Sequence, residues 1–147
     1  MFERKVLAGW GDMDFNSHMR NTAYLDKSAD VRMMFFSEHG FPTSEFMRLK
    51  IGPVVMKDEI EYFREVNLLE ELKVTLAVAG LSPDGSRFAI RNEFFRSDGK
   101  PAARVSSTGG WLDLSTRKLI PAPTGLLSAL KSLSRTNDYK ELESSVR

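Results

Sequence analysis

The sequence predicts an α+β fold, an antiparallel sheet of five to six strands lying on one long central helix. Three observations carry that prediction. Apolar residues recur at helical spacing between Asn21 and Glu38, later segments alternate apolar with polar residues, and Gly, Pro and Asp motifs join those segments through tight turns. Strands joined in that way pair antiparallel, and a lone long helix has to bury its apolar stripe against one face of their sheet. The 147 residues, 41% of them apolar, suffice for one core and leave little room for a second.

The first strand opens the chain, with Phe2, Val6, Ala8 and Trp10 on one parity and Glu3 and Lys5 on the other. A polar stretch from Gly11 to Asn21 has no amphipathic period. Asn21 reads as the N-cap of the long helix, whose stripe is Tyr24, Ser28, Val31 and Phe35 with Leu25, Ala29 and Phe36 beside it. Ser28 and Ala29 are small enough to let that helix approach the sheet closely. His39-Gly40 followed by Pro42 stops it.

After a short connector, Val54, Met56, Ile60, Tyr62 and Val66 mark one strand, and Leu72, Val74, Leu76 and Val78 the next. Ser82-Pro83-Asp84-Gly85 is a hairpin turn into a strand through Phe88, Ile90 and Phe94. Ser97 to Pro101 is a second turn, leading to a strand through Val105 and Trp111. Gly109-Gly110 inside that strand indicates a bulge or the close approach of another backbone or a ligand. Thr124 caps a short helix with Leu126, Leu127, Leu130 and Leu133 on one face. The domain is thus read as residues 1–134, and residues 135–147 as a polar, mobile or peripheral tail.

Composition excludes several functions. Lys and Arg number 21 against 20 Asp and Glu, a net charge of +1 that offers no strong field to nucleic acid or anionic lipid. No apolar run approaches the roughly 20 residues of a membrane span, and residues 1–10 contain no signal-like apolar core. Cysteine is absent, which removes disulfides, thiolate ligands and a thiol nucleophile and suits a cytoplasmic protein. No phosphate-cradling glycine loop, zinc spacing or serine nucleophile elbow occurs, so no cofactor or metal is expected. Imidazole chemistry falls to His18 or His39.

The candidate for chemistry is Asp12-Met13-Asp14-Phe15-Asn16-Ser17-His18-Met19-Arg20-Asn21, directly ahead of the long helix. Three readings compete. Asp12, Asp14 and Asn16 have the spacing of a calcium loop, but Ser17 stands where the loop needs Gly and Ala23 where it needs a bidentate Glu. A structural reading has the acids satisfying the helix start and its dipole. It accounts for one or two such residues better than for five polar groups. The third reading is acid–base or nucleophilic catalysis. Free amides at the helix start polarise a carbonyl, an Asp activates water or attacks, and a His shuttles the proton.

The run WGDMDFNSHMRNTAYLD, residues 10–26, resembles the signature of hotdog-fold thioesterases, and the order of elements over residues 2–134 is similar as well. That group includes 4-hydroxybenzoyl-CoA thioesterase-like enzymes and the plant acyl-ACP thioesterases. The resemblance implies a sheet wrapped around one central helix and hydrolysis of an acyl thioester. It implies that Asp14 is the catalytic aspartate and that the backbone amide near Asn21 binds the thioester oxygen. Asp14, Asn16 and His18 match the D-x-N-x-H motif of the plant enzymes. Their Glu-Cys pair corresponds to Glu65 and Val66, so no thiol role survives here. Read by parity alone, Glu65 shares a solvated strand face with Lys57 and Glu59.

Tyr24 is placed at the pocket floor, Asp12 as a brace for the loop, and His39 as a cation suiting the helix C-terminus. Asp26 and Asp30 form a solvated face. Arg87, Arg91, Arg96 and Arg104 are either solubilising groups or contacts for a CoA phosphate. The expected activity is therefore hydrolysis of an acyl-CoA or acyl-ACP thioester, with CoA preferred because no basic face suits an acidic carrier. The competing activities are a hotdog dehydratase or hydratase and a non-catalytic acyl-thioester binding module. A sheet with bare edges favours a homodimer or homotetramer.

Overall fold

Seven strands and three helices make up the fold in a computed structural model that describes residues 1–146. Strand β1 (Phe2–Leu7) leads through a short 3-10 turn (Trp10–Asp12) to helix α1 (Asn21–Glu38) and a second helix, α2 (Thr43–Leu49). Strands β2 (Ile51–Tyr62), β3 (Glu71–Leu81), β4 (Arg87–Phe95) and β5 (Pro101–Asp113) follow, then β6 (Lys118–Ile120), helix α3 (Thr124–Ser132) and β7 (Arg135–Glu141). The sheet runs β1-β3-β4-β5-β2, with β6 on β5 and β7 on β3.

The two predicted turns join β3 to β4 and β4 to β5, and both pairs are antiparallel. Period-two alternation buries Leu72, Val74, Leu76 and Val78 of β3 and Phe88, Ile90 and Phe94 of β4. These side chains form one core with Val31 and Phe35 of α1. Each fully buried side chain of this size contributes about 1.5–3 kcal/mol. At Gly109 a β-carbon would stand 2.0 Å from the Val54 carbonyl oxygen, so glycine there is what lets β2 approach β5. The pairing shifts register beside it, between Val55 and Lys57.

Several expectations need correction. The strands number seven, not five to six. The polar C-terminal segment is a strand, β7, because β1 covers only the first half of β3's edge and leaves Val78 to Leu81 free to pair in parallel with β7. Helix α2 replaces what read as a connector; at seven residues it is too short to declare a period, yet it buries Phe46 against Trp111. The first strand ends at Leu7, leaving Trp10 84% exposed. Strand β2 ends at Tyr62, and Val66 is buried beyond it in the connection to β3. Helix α1 starts at Asn21 with Arg20 in the capping position, and α3 starts at Thr124 after Pro123, so neither Asn21 nor Thr124 caps. Ser28 is fully buried, whereas Ala29 is exposed.

Candidate active site

The polar stretch ahead of α1 folds as a tight hairpin. Met13 and Met19 form an isolated antiparallel bridge, and the Asp14 amide donates to the His18 carbonyl at 2.9 Å. Ser17 closes the turn in the left-handed region at φ 62°, a conformation that costs a non-glycine residue on the order of 1 kcal/mol. The Asp14 Oδ1 accepts the amides of Asn16 at 2.8 Å and His18 at 3.3 Å. The hairpin thus fixes Asp14, Asn16 and His18 two residues apart.

A second segment meets the hairpin. The Met19 amide donates to the Val66 carbonyl at 2.8 Å, which draws the segment that follows β2 against the loop. His18 Nε2 then lies 3.0 Å from Glu65 Oε2, the distance of a hydrogen bond with the imidazole donating. Glu65 lies beyond the end of β2 and so on no strand face, but its side chain stays solvated, as parity predicted. The Tyr62 hydroxyl donates to the Asn21 carbonyl at 3.4 Å, tying β2 to the helix start.

These contacts enclose a cleft of about 360 Å³, lined by Asp14, Asn16, His18, Asn21, Tyr24 and Glu65 together with Met19, Tyr62, Phe63 and Arg64. All six residues singled out in the sequence share this one cleft. Tyr62, Phe63 and Arg64 were missed; the available signal was a pair of adjacent aromatics where strict alternation allows only one. No side chain caps α1; the Ala23 amide donates to the Arg20 carbonyl at 3.1 Å, while the Asn21 amide has no partner among the described residues and Asn21 lines the cleft. Tyr24 is 3% exposed, with its ring edge-packed on Tyr62 at 5.4 Å and Phe94 at 5.2 Å. Burial, reinforced by Tyr62, Glu70 and Asp14, pushes its phenol up to about 12, so it stays a neutral hydroxyl.

Asp12 faces the other way. Its Oδ2 accepts the Gly9 amide at 2.7 Å and pairs with Lys27 Nζ at 2.9 Å, while Lys27 also donates to the Leu7 carbonyl at 2.8 Å. Burial alone would raise the Asp12 carboxyl, but Lys27, the Gly9 amide and Arg20 together hold it below its ordinary value. The two acids that suggested a calcium loop therefore point to different partners. Among the described residues no cluster of three or more His, Asp or Glu side chains could hold a metal ion.

The remaining candidates have ordinary partners. His39 caps α1 with Nδ1 2.9 Å from the Phe35 carbonyl and stacks on the Phe35 ring. Arg91 pairs with Asp138, Arg96 with Asp98 and Arg104 with Glu93, and Arg87 donates to Ser145. Among the described residues no helix is long and apolar enough to cross a membrane.

The sequence model of the thioesterase-like superfamily matches residues 8–130 of the chain. No curated protein matches significantly. Solved structures share the fold at low identity. A Staphylococcus aureus protein characterised in complex with CoA superposes with a TM-score of 0.83 at 20% identity, covering 95% of this chain and 89% of that one. A 1,4-dihydroxy-2-naphthoyl-CoA thioesterase from Synechocystis gives 0.80 at 16% identity, over 90% of this chain and 96% of its own. A gentisyl-coenzyme A thioesterase gives 0.78 at 19% identity, over 88% and 99%.

Proposed function

The chain belongs to the thioesterase-like superfamily, and on that premise we propose that it is an acyl-CoA thioesterase whose single hotdog thioesterase domain takes in β7 as well as residues 1–134. One observation carries the reading: a carboxylate, an amide side chain, an imidazole and an uncapped helix start line the same cleft. The free amides around Asn21 bind and polarise the thioester oxygen. Asp14 takes the proton of an attacking water, or attacks the carbonyl itself to form a mixed anhydride that water then hydrolyses, freeing the acid and the carboxylate. Asn16 and His18 hold the water and relay protons, and the pair with Glu65 orients the imidazole. The negative charge that develops on the carbonyl oxygen is met by the same amides. When the carbon–sulfur bond breaks, the thiolate takes a proton relayed through His18. Tyr24 forms the floor beneath the acyl group.

The CoA complex of the Staphylococcus aureus neighbour and the two named acyl-CoA thioesterases support CoA as the carrier. Thiol trapping over a panel of acyl-CoAs tests the activity. Release of free thiol is expected; tight binding without release identifies a binding module, and hydration or dehydration of an acyl group with the thioester intact identifies a dehydratase or hydratase.

The active form is a homodimer or homotetramer. Strand β2 ends the sheet with one edge unpaired, and Val55, Met56, Tyr62 and Phe63 are all 45–52% exposed along or just beyond it. Such an edge is completed by a second copy. Light scattering that found a stable monomer at micromolar concentration would contradict this.

A further inference from the structure

Within the cleft, Arg64 is the cationic group whose charge no carboxylate meets among the described residues, His18 being met by Glu65. Asp14 already accepts two backbone amides, and Glu65 is engaged by His18 rather than by its sequence neighbour. Arg64 enters no ion pair among the described residues. Its one side-chain hydrogen bond among the described residues is from Nη1 to the Pro101 carbonyl at 2.8 Å. Arg104 supplies a contrast close by: it lies over the Phe63 ring, but its charge is met by Glu93 at 3.2 Å and Glu61 at 3.7 Å.

Arg64 is also held more firmly than an exposed arginine normally is. The amides of Phe63 and Arg64 both donate to the Ala102 carbonyl, at 2.8 and 3.1 Å, so backbone and guanidinium are fastened to the same two residues at the start of β5. One of five N–H donors is used, and the remainder of the planar fork is free at the cleft. Fixing the side chain beforehand lowers the entropy lost when an anion binds, and a guanidinium matches the paired oxygens of a carboxylate or phosphate.

We propose that Arg64 is a specificity-determining residue that binds an anionic oxygen group of the thioester substrate. Two parts of a substrate could bring that group: a phosphate of the CoA carrier or a carboxylate on the acyl chain. The inference rests on the hydrolase reading above and names what that site selects.

Four thioesters separate the possibilities: butyryl-CoA, succinyl-CoA, butyryl-pantetheine and succinyl-pantetheine. For the wild type and Arg64→Ala, kcat/KM is measured on each and expressed relative to butyryl-pantetheine, which carries no anionic group. Arg64→Ala should lower the ratio for the anionic substrates on the order of tenfold, through KM, as loss of a charge-assisted pair does. Loss confined to both CoA esters identifies the carrier phosphate; loss on both succinyl esters identifies the acyl carboxylate. Arg64→Lys should recover part of the ratio, since it keeps the charge without the fork. Ratios that Arg64→Ala leaves unchanged would overturn the role of Arg64 while leaving hydrolysis intact. A wild type that released thiol from none of the four would overturn the hydrolase reading and this inference together.

Discussion

Asp12 and Asp14 stand two residues apart on one polar stretch and are used in opposite ways. Asp12 turns toward the body of the protein and is consumed by Lys27 and the Gly9 amide, in a bracket that also holds the end of β1 through the Leu7 carbonyl. Asp14 sits on the far side of the 13–19 hairpin, exposed, with one oxygen holding two amides of its own turn. Residue type does not distinguish the two; their partners do. A carboxylate whose charge is neutralised by a lysine serves stability, whereas the hydrolysis proposed above uses the one that lines a cleft with an imidazole for proton transfer.

Substitution of the two acids by their amides should split the effects. Asp14→Asn keeps the size of the side chain and removes its charge and basicity; turnover should fall on the order of 10²-fold or more, the scale of a positioned acid–base group. If Asp14 only supports the turn, the same variant instead loses about 1 kcal/mol of stability with turnover little changed. Turnover and melting temperature measured on one sample separate the two outcomes.

Asp12→Asn should give the opposite pattern, with a loss of about 2 kcal/mol from a half-broken, partly buried pair and a much smaller change in turnover. The contrast sharpens with pH. The native Asp12 carboxyl is held below its ordinary value of 3.8, so the unfolded chain takes up that proton first. Its contribution is present above pH 4 and is lost as the pH falls through the native value. Acid unfolding of Asp12→Asn should therefore be less steep than that of the wild type.

Smaller effects are expected from the pair behind Asp14. His18→Ala should slow turnover about tenfold if the imidazole relays protons, and Glu65→Gln by less, because the amide can still accept the imidazole hydrogen bond. Equal losses in the two variants would make orientation of His18, rather than proton transfer, the function of the pair.

Asp14, Asn16 and His18 were legible as a dense polar cluster directly ahead of a helix and through the D-x-N-x-H resemblance, whereas the hairpin that holds them appears only in the structure. Tyr24 was legible from the helical stripe. Glu65 could be named only through a resemblance, since parity assigned it to a solvated face. Nothing in residues 61–66 alone indicates that β2 stops at Tyr62, because the ladder breaks where the amides of Phe63 and Arg64 both turn to the distant Ala102 carbonyl, and the chain beyond is taken up by Met19 at Val66. Arg64 was invisible for a related reason. The role proposed for it rests on the absence of an ion-pair partner among the described residues, and partners come from segments distant in sequence.

The sequence by itself determined the helix from residues 21 to 38, the antiparallel β3-β4-β5 meander and the close approach at Gly109, because periodicity, turn residues and the lack of a side chain act over a few neighbouring residues. Tertiary structure decided the remainder. Helix α2 forms where Phe46 meets Trp111, and β7 forms where β1 leaves the upper edge of β3 open. The same holds for the facing of Asp12 and Asp14. Each depends on whether a hydrogen-bonding or apolar group far along the chain arrives unpaired, a condition that exists only once the sheet has assembled.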